Sequence, residues 1–359
     1  MPASPRRILL RILLGLLFLS TQAASSASRP AGDESIPAFS DGEWAGKFSI
    51  YTSSSTDVMD IITSYKGDLG FISAGGNLDG EWTMSGLSTY AGDITGSAKF
   101  EAGGKVAGES YALKFVTTHF IAHMNLTVAG MATSQDVDMG NGAGVELQLK
   151  SATCSQATAD IAAVVESRFQ SAGMPSQVEG SLTAVRVKDL TAANQVDYLN
   201  AVGDFLDKAE AYKQKIKDGQ TTSFIELNEL VSQADSLNMA IKKNIECGLG
   251  GKKQFLSVIT DAVAGIAFLA LDNPHLFTTD QLNRLLFVAV HVGALGSGAV
   301  NTQQAAELEG KFVKELTDRL NDAKDNQNCY DALVIQISAG TLGNAGLKQQ
   351  AKSLVDSMC

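Results

Sequence analysis

The chain has 359 residues, 45% hydrophobic and 19% charged, a balance that suits about two folded, core-forming domains rather than a disordered polymer. Its formal net charge is −11, and no basic run follows the first dozen residues. That argues against a nucleic-acid or anionic-membrane partner, because nothing supplies the cationic field such partners need.

Residues 1–27 read as a secretory signal peptide. Arg6, Arg7 and Arg11 precede an apolar run from Ile12 to Leu19, and small residues follow. Thr21-Gln22-Ala23 and Ser25-Ser26-Ala27 both have the small-x-small form of a cleavage site. The run is short for a membrane span, so cleavage is expected in preference to an uncleaved anchor. Pro5 and the strongly apolar run fit the general secretory route better than twin-arginine export. The expected location is secreted or periplasmic. Four cysteines remain, Cys154, Cys247, Cys329 and Cys359, and none forms a C-x-x-C pair. An exported chain with an even count oxidises them into bridges. The favoured pairing is Cys329–Cys359, flanking a closing helical hairpin, with Cys154–Cys247 by elimination; sequence leaves all three pairings open.

After a linker at 28–39, residues 40–153 show a period of two. Trp44, Phe48 and Ile50 alternate with Glu43, Lys47 and Ser49. Ile94, Ala98 and Phe100 alternate with Thr95, Ser97 and Lys99, and Phe120, Met124, Leu126 and Val128 with His123, Asn125 and Thr127. Val145, Leu147 and Leu149 repeat the pattern. Half-buried antiparallel strands are predicted. Gly75-Gly76-Asn77, Gly103-Gly104 and Gly140-Asn141-Gly142 supply hairpin chemistry. GNGAG at 140–144 has strands on both sides, so it lacks the strand–loop–helix context of a phosphate cradle. DGEW occurs at 41–44 and again at 79–82, which suggests duplication of a β unit but not a repeat architecture. The stretch 57–65 is ambiguous between strand and helix.

Gly46, Gly86 and Gly96 share the apolar face with Trp44, Trp82 and Ile94. Mid-strand glycines mark kinks or close approaches and let a sheet bend toward closure. The expectation is a curled antiparallel β-sheet or β-barrel, filled by its own side chains or a helix, or else holding an apolar ligand. Trp44, Gly46, Phe48, Trp82, Met84, Gly86 and Gly96 would then line the ligand site.

From Cys154 onward the pattern is helical. A first helix is expected to end near Gly173, with a late strand allowed at 181–187. Next comes a helix with Val196, Leu199, Val202, Phe205, Leu206, Ala209, Tyr212 and Ile216 inward and Gly219 after its end. A capping box from Ser223 to Glu226 opens another, with Phe224, Leu227, Leu230, Val231, Ala234, Leu237 and Ile241 inward and Gly248 stopping it. Two apolar segments follow at 255–271 and 285–299, the second entered by a Thr278–Gln281 capping box. A charged helix near 302–325 and two short helices around Gly340–Gly346 complete a bundle at 154–359. The fold class is α+β: an N-terminal curled sheet or barrel, then a C-terminal α-helical bundle.

Few residues form a chemical constellation. His119 and His123 lie on a strand, about 13 Å apart, too far to share a metal. Asp136, Asp138 and Asn141 resemble part of a calcium loop, but the glycine and the last ligand are misplaced; a solvated turn is the default. Asp41, Glu43, Asp79 and Glu81 are not placed to face one sugar. No G-x-S-x-G elbow is present. Asn125-Leu126-Thr127 is a glycosylation acceptor for a eukaryotic host. Asp261 and His291 sit in the two apolar helices and need buried partners, a role each could fill for the other. No cofactor, metal site or catalytic residue is expected.

The leading expectation is an exported, non-enzymatic binding or interaction protein, with an apolar ligand in or against the sheet. Its partner would be an apolar small molecule or another envelope or extracellular protein, with no stable membrane span after signal cleavage. The alternatives are a membrane-active protein using the apolar helix pair 255–299, and a hydrolase with an unrecognised carboxylate site.

Overall fold

The computed structural model describes residues 36–359, except 56–59, 93, 139–143, 165–176, 222, 251, 297 and 359. The expected signal peptide and most of the expected linker lie outside that set. The chain divides into two compact units between Gln195 and Val196.

The first unit is a nine-stranded antiparallel sheet: β1 (Gly42–Ser55), β2 (Asp60–Ala74), β3 (Asn77–Tyr90), β4 (Ile94–Glu109), β5 (Ala112–Val128), β6 (Met131–Asp138), β7 (Gly144–Ala152), β8 (Gln156–Val164) and β9 (Gln177–Lys188). Successive strands β1 to β6 pair in order, as do β7 to β9, and β9 returns to pair β1. β6 and β7 follow one another along the same edge of β5, on Ile121–Val128 and Ala112–Val116 respectively. Both run antiparallel to β5, so the chain does not reverse between them as the hairpin expected at Gly140-Asn141-Gly142 required; those residues lie outside the described set. The sheet curls strongly but is not closed along its whole length, since β6 pairs with β5 alone among the described strands.

Two corrections follow from these ladders. The described part of the helix expected after Cys154 is strand β8, the rest of it lying outside the described residues, and the β unit runs to Gln195 rather than 153. Ala-rich sequence favours helix in isolation, but here Ala157 and Ala159 are small inward residues, and β8 is paired on both edges by β7 and β9. Gly103-Gly104 is no turn either. It lies inside β4, where the register with β5 slips, and such bulges sharpen local twist. The turn expected at Gly75-Gly76 is present, with φ of 60° and 89°, and Ala129-Gly130 forms another, with φ of 51° and 80°. Positive φ at both positions matches the twist of the flanking strands.

The core of this unit explains its glycines. Register places Phe48 beside Gly67, Phe71 beside Gly80, Tyr65 and Phe100 on either side of Gly86, and Trp82 beside Gly104. A Cβ at Gly67 would come within 2.3 Å of the Phe48 ring, and one at Gly86 within 2.5 Å of the Tyr65 ring. Each ring lies across the bare backbone of the next strand, which both fills the curl and lets the sheet bend. Phe39 is fully buried, edge-on to Trp44 and Phe71 with ring centroids 5.0 Å away in each case. The end of the expected linker therefore belongs to the core.

The second unit holds seven helices among the described residues: α1 (Tyr198–Lys217), α2 (Phe224–Glu246), α3 (Lys253–Asp272), α4 (Thr279–His291), α5 (Thr302–Asp325), α6 (Cys329–Thr341) and α7 (Ala345–Met358). Asp197 caps α1 by accepting from the Leu199 and Asn200 amides, Ser223 caps α2 through the Glu226 amide, and Thr278 with Gln281 closes a complete capping box on α4. Arg319 holds the short turn before α4 by donating to the Pro274 and Phe277 carbonyls. Leu, Ile, Val and Ala from all seven helices form one core. Leu199 (68% exposed) and Phe224 (46%) were expected inward but face solvent. Tyr198 packs against the core beside Leu199, and Phe224 opens the first turn of α2. The apolar segment 285–299 is not one helix: α4 stops at His291, and Gly293 and Gly296 take φ of 81° and 83°.

Cys154, Cys247 and Cys329 are all disulfide-bonded. Such bonds persist in oxidising compartments, so they fit an extracellular or periplasmic location.

Candidate ligand-binding site

The curled sheet has two unlike ends. One carries the turn at Gly75-Gly76 and the segment 36–40. There Ser73 donates to the Phe39 carbonyl, the Phe39 amide to the Ser110 carbonyl, and the Trp44 indole to the Ser40 carbonyl at 3.0 Å. The Gly75 amide donates to the Asp41 carboxylate. Those bonds pin Phe39 as a plug.

The other end carries the turn at Ala129-Gly130. Its inner face mixes hydroxyls with apolar groups. Thr52, Thr63 and Ser88 stand next to one another on β1, β2 and β3 and are all buried. Thr63 donates to Ser88 at 2.8 Å. The Tyr65 phenol lies against Thr63 and the Tyr90 phenol against Ser88, which groups four hydroxyls across two strands. Ile61, Ile94 and Leu126 supply apolar surface at the same end. Burial pushes the Tyr65 phenol well above the usual tyrosine range, with nearby Tyr90 adding and the Thr63 bond opposing. Burial also raises Tyr90, against its bond to Ser88. Both phenols are therefore neutral donors at physiological pH. Sequence alternation alone could have flagged Thr52, Thr63 and Ser88 as polar residues on an apolar face.

The residues expected to line a ligand site are brought together, but mostly as packed core. Trp44, Phe48 and Trp82 are buried among rings, with Phe48 4.8 Å from Phe115 and Trp82 5.6 Å from it, centroid to centroid. Met84 packs partly buried at the core edge. A Cβ on Gly46 would meet the Thr183 carbonyl at 2.8 Å and the Leu69 side chain at 3.0 Å. Gly86 lies under Tyr65, and Gly96 is pressed on the Asn125 carbonyl at 2.2 Å from an added Cβ. These glycines make room for the protein's own atoms.

Other candidates resolve into local pairs. His123 sits between Asp136 (2.8 Å) and Glu101 (3.9 Å) on the outer face, while His119 covers Gly103. Asp136 and Asp138 lie in strand β6, not in a calcium loop. Among the described residues no group of three or more His, Cys, Asp or Glu could hold a metal. Glu43 pairs with Lys188 at 2.6 Å and Glu81 with Lys105 at 2.8 Å, so these two of the four suspected carboxylates serve ion pairs. Asn125 is exposed on β5. Asp261 and His291 are not partners: Asp261 faces solvent, and His291 meets the buried Asp235 of α2 at 3.4 Å. Sequence reading missed Asp235 because it counted ionisable groups only in the two apolar helices.

No protein-family model matches the sequence, and no curated protein is similar to it.

Proposed function

We propose that the protein is an exported, non-enzymatic binding protein that takes an amphiphilic small molecule at the Tyr90 end of the curled sheet. The observation that carries this reading is the cluster of hydroxyls from Tyr65, Thr63, Ser88 and Tyr90, beside apolar Ile61, Ile94 and Leu126, at the end opposite the Phe39 plug. Ligand sites combine apolar lining with a few convergent polar groups. The ligand's apolar body would lie against Ile61, Ile94 and Leu126, and its polar tip would exchange bonds with the hydroxyls.

Native mass spectrometry of protein purified from the exporting host, and titration with a fluorescent fatty-acid probe, test the idea. Thr63→Val combined with Ser88→Ala keeps the shape and should weaken probe binding about tenfold, the worth of one or two lost hydrogen bonds. Phe39→Ala at the plugged end should leave it unchanged. Absence of probe binding, or binding indifferent to the hydroxyl variant, refutes the site. The same export reading pairs Cys329 with Cys359 and Cys154 with Cys247, which unreduced peptide mapping checks.

A second reading has one observation in its favour: α3 is the one described helix long and apolar enough to cross a membrane. Its intended partner α4 has 13 residues, about 20 Å of helix against a hydrocarbon layer of about 30 Å. Liposome leakage caused by the purified protein would favour this reading over the first.

A further inference from the structure

The carboxylate of Asp235 is fully buried in the helical unit, and no donor among the described residues hydrogen-bonds either of its oxygens. A buried charge without a donor is costly. His291 Nδ1 lies 3.4 Å from Oδ2 but is not aligned as a hydrogen bond. His291 is the last residue of α4, and its side chain is 37% exposed, so solvent protons reach it. Its ring rests on Phe287 with centroids 4.0 Å apart.

The residues around this pair grip the end of α4. Lys242 and Asn238, two turns and one turn along α2 from Asp235 respectively, both donate to the His291 carbonyl, at 3.1 and 3.4 Å. Thr260 of α3 donates to the Val292 carbonyl at 2.7 Å. Burial lowers the Lys242 ammonium from the ordinary lysine range, with Asp235 opposing. The other charged or titratable neighbours are engaged elsewhere. Lys243 pairs with Glu246 on α2, Asp261 of α3 faces solvent, and Tyr198 of α1 is bonded by Asn244.

We propose that Asp235 and His291 form a proton-operated latch between α2 and α4. A proton taken from solvent onto the imidazole gives the carboxylate a charged donor, and the end of α4 tightens on α2. The sign follows from linkage: an imidazole that gains an anionic partner on folding stabilises the fold in acid, and that gain is lost as pH rises.

The test is urea unfolding of the full chain, followed by helical ellipticity at about pH 5.5 and about pH 8, either side of the ordinary imidazole range. The proteins are the parent, Asp235→Asn, His291→Gln and the double variant. The acid-side midpoint gain of the parent should shrink in each single variant, and the two substitutions should be non-additive at the lower pH only. Unchanged pH slopes in the single variants, or equal coupling at both pH values, overturn the proposal. Should Asp235→Asn fail to fold, proton release on unfolding near pH 6.5 decides the matter. The parent should release more than His291→Gln, and equal release overturns the latch.

Discussion

In the sheet, Phe48 lies over Gly67 and Tyr65 over Gly86; in the bundle, Ile259, Val263, Leu285 and Leu286 share a core of branched aliphatics. Both units exclude water, yet by different geometry. A curled sheet narrows its own interior, so a large ring fits only where the neighbouring strand gives up its Cβ. Helices meet through side-chain ridges and grooves, and bulk is shared among many medium-sized residues. The difference teaches where a glycine is structural: across from a ring in the β unit, and after a helix end in the bundle.

That comparison can be broken or sharpened unit by unit. Both tryptophans, Trp44 and Trp82, belong to the β core, so indole fluorescence follows that unit while helical ellipticity follows the other. The largest effect is expected from Trp44→Ala, about 3–5 kcal/mol in the fluorescence transition, with the ellipticity transition nearly unmoved if the units unfold independently. Gly80→Ala comes next. Its new Cβ would lie 2.1 Å from the Gly70 carbonyl oxygen and 2.5 Å from the Phe71 Cα, backbone atoms that cannot step aside. A loss of about 3 kcal/mol is expected; a loss under about 1 kcal/mol would mean the rings do not depend on bare backbone.

The buried Tyr65 phenol should make the β unit lose stability as pH rises past 10.0, its ordinary value, because the unfolded phenol ionises first and the folded one resists. Tyr65→Phe should flatten that slope, as read by fluorescence-detected unfolding at increasing pH. Asp197→Ala, which strips the α1 cap, should cost about 1 kcal/mol in the ellipticity transition alone. The smallest expected change is opposite in sign. Gly310 lies exposed inside α5 with nothing within 4 Å of an added Cβ, so Gly310→Ala should gain about 0.5–1 kcal/mol in urea unfolding.

Local periodicity determined much of this protein by itself. Alternation from Trp44 to Leu126 marked strands, and α5 was expected at 302–325, where Thr302–Asp325 is found, since a strong stripe and its cap are properties of a short stretch of chain. What only the tertiary structure decided depended on partners distant in sequence. Residues 156–164 became a strand because β7 and β9 offered open hydrogen-bonding edges on either side, which outweighed alanine's helical preference. Gly103-Gly104 became a bulge because β5 fixed the register there. His291 met Asp235 rather than Asp261 because α2 presents its polar stripe to the end of α4. Segment-level preferences amount to tenths of a kcal/mol per residue, whereas pairing or burying a group moves whole kcal/mol, so long-range contacts prevail wherever the two disagree.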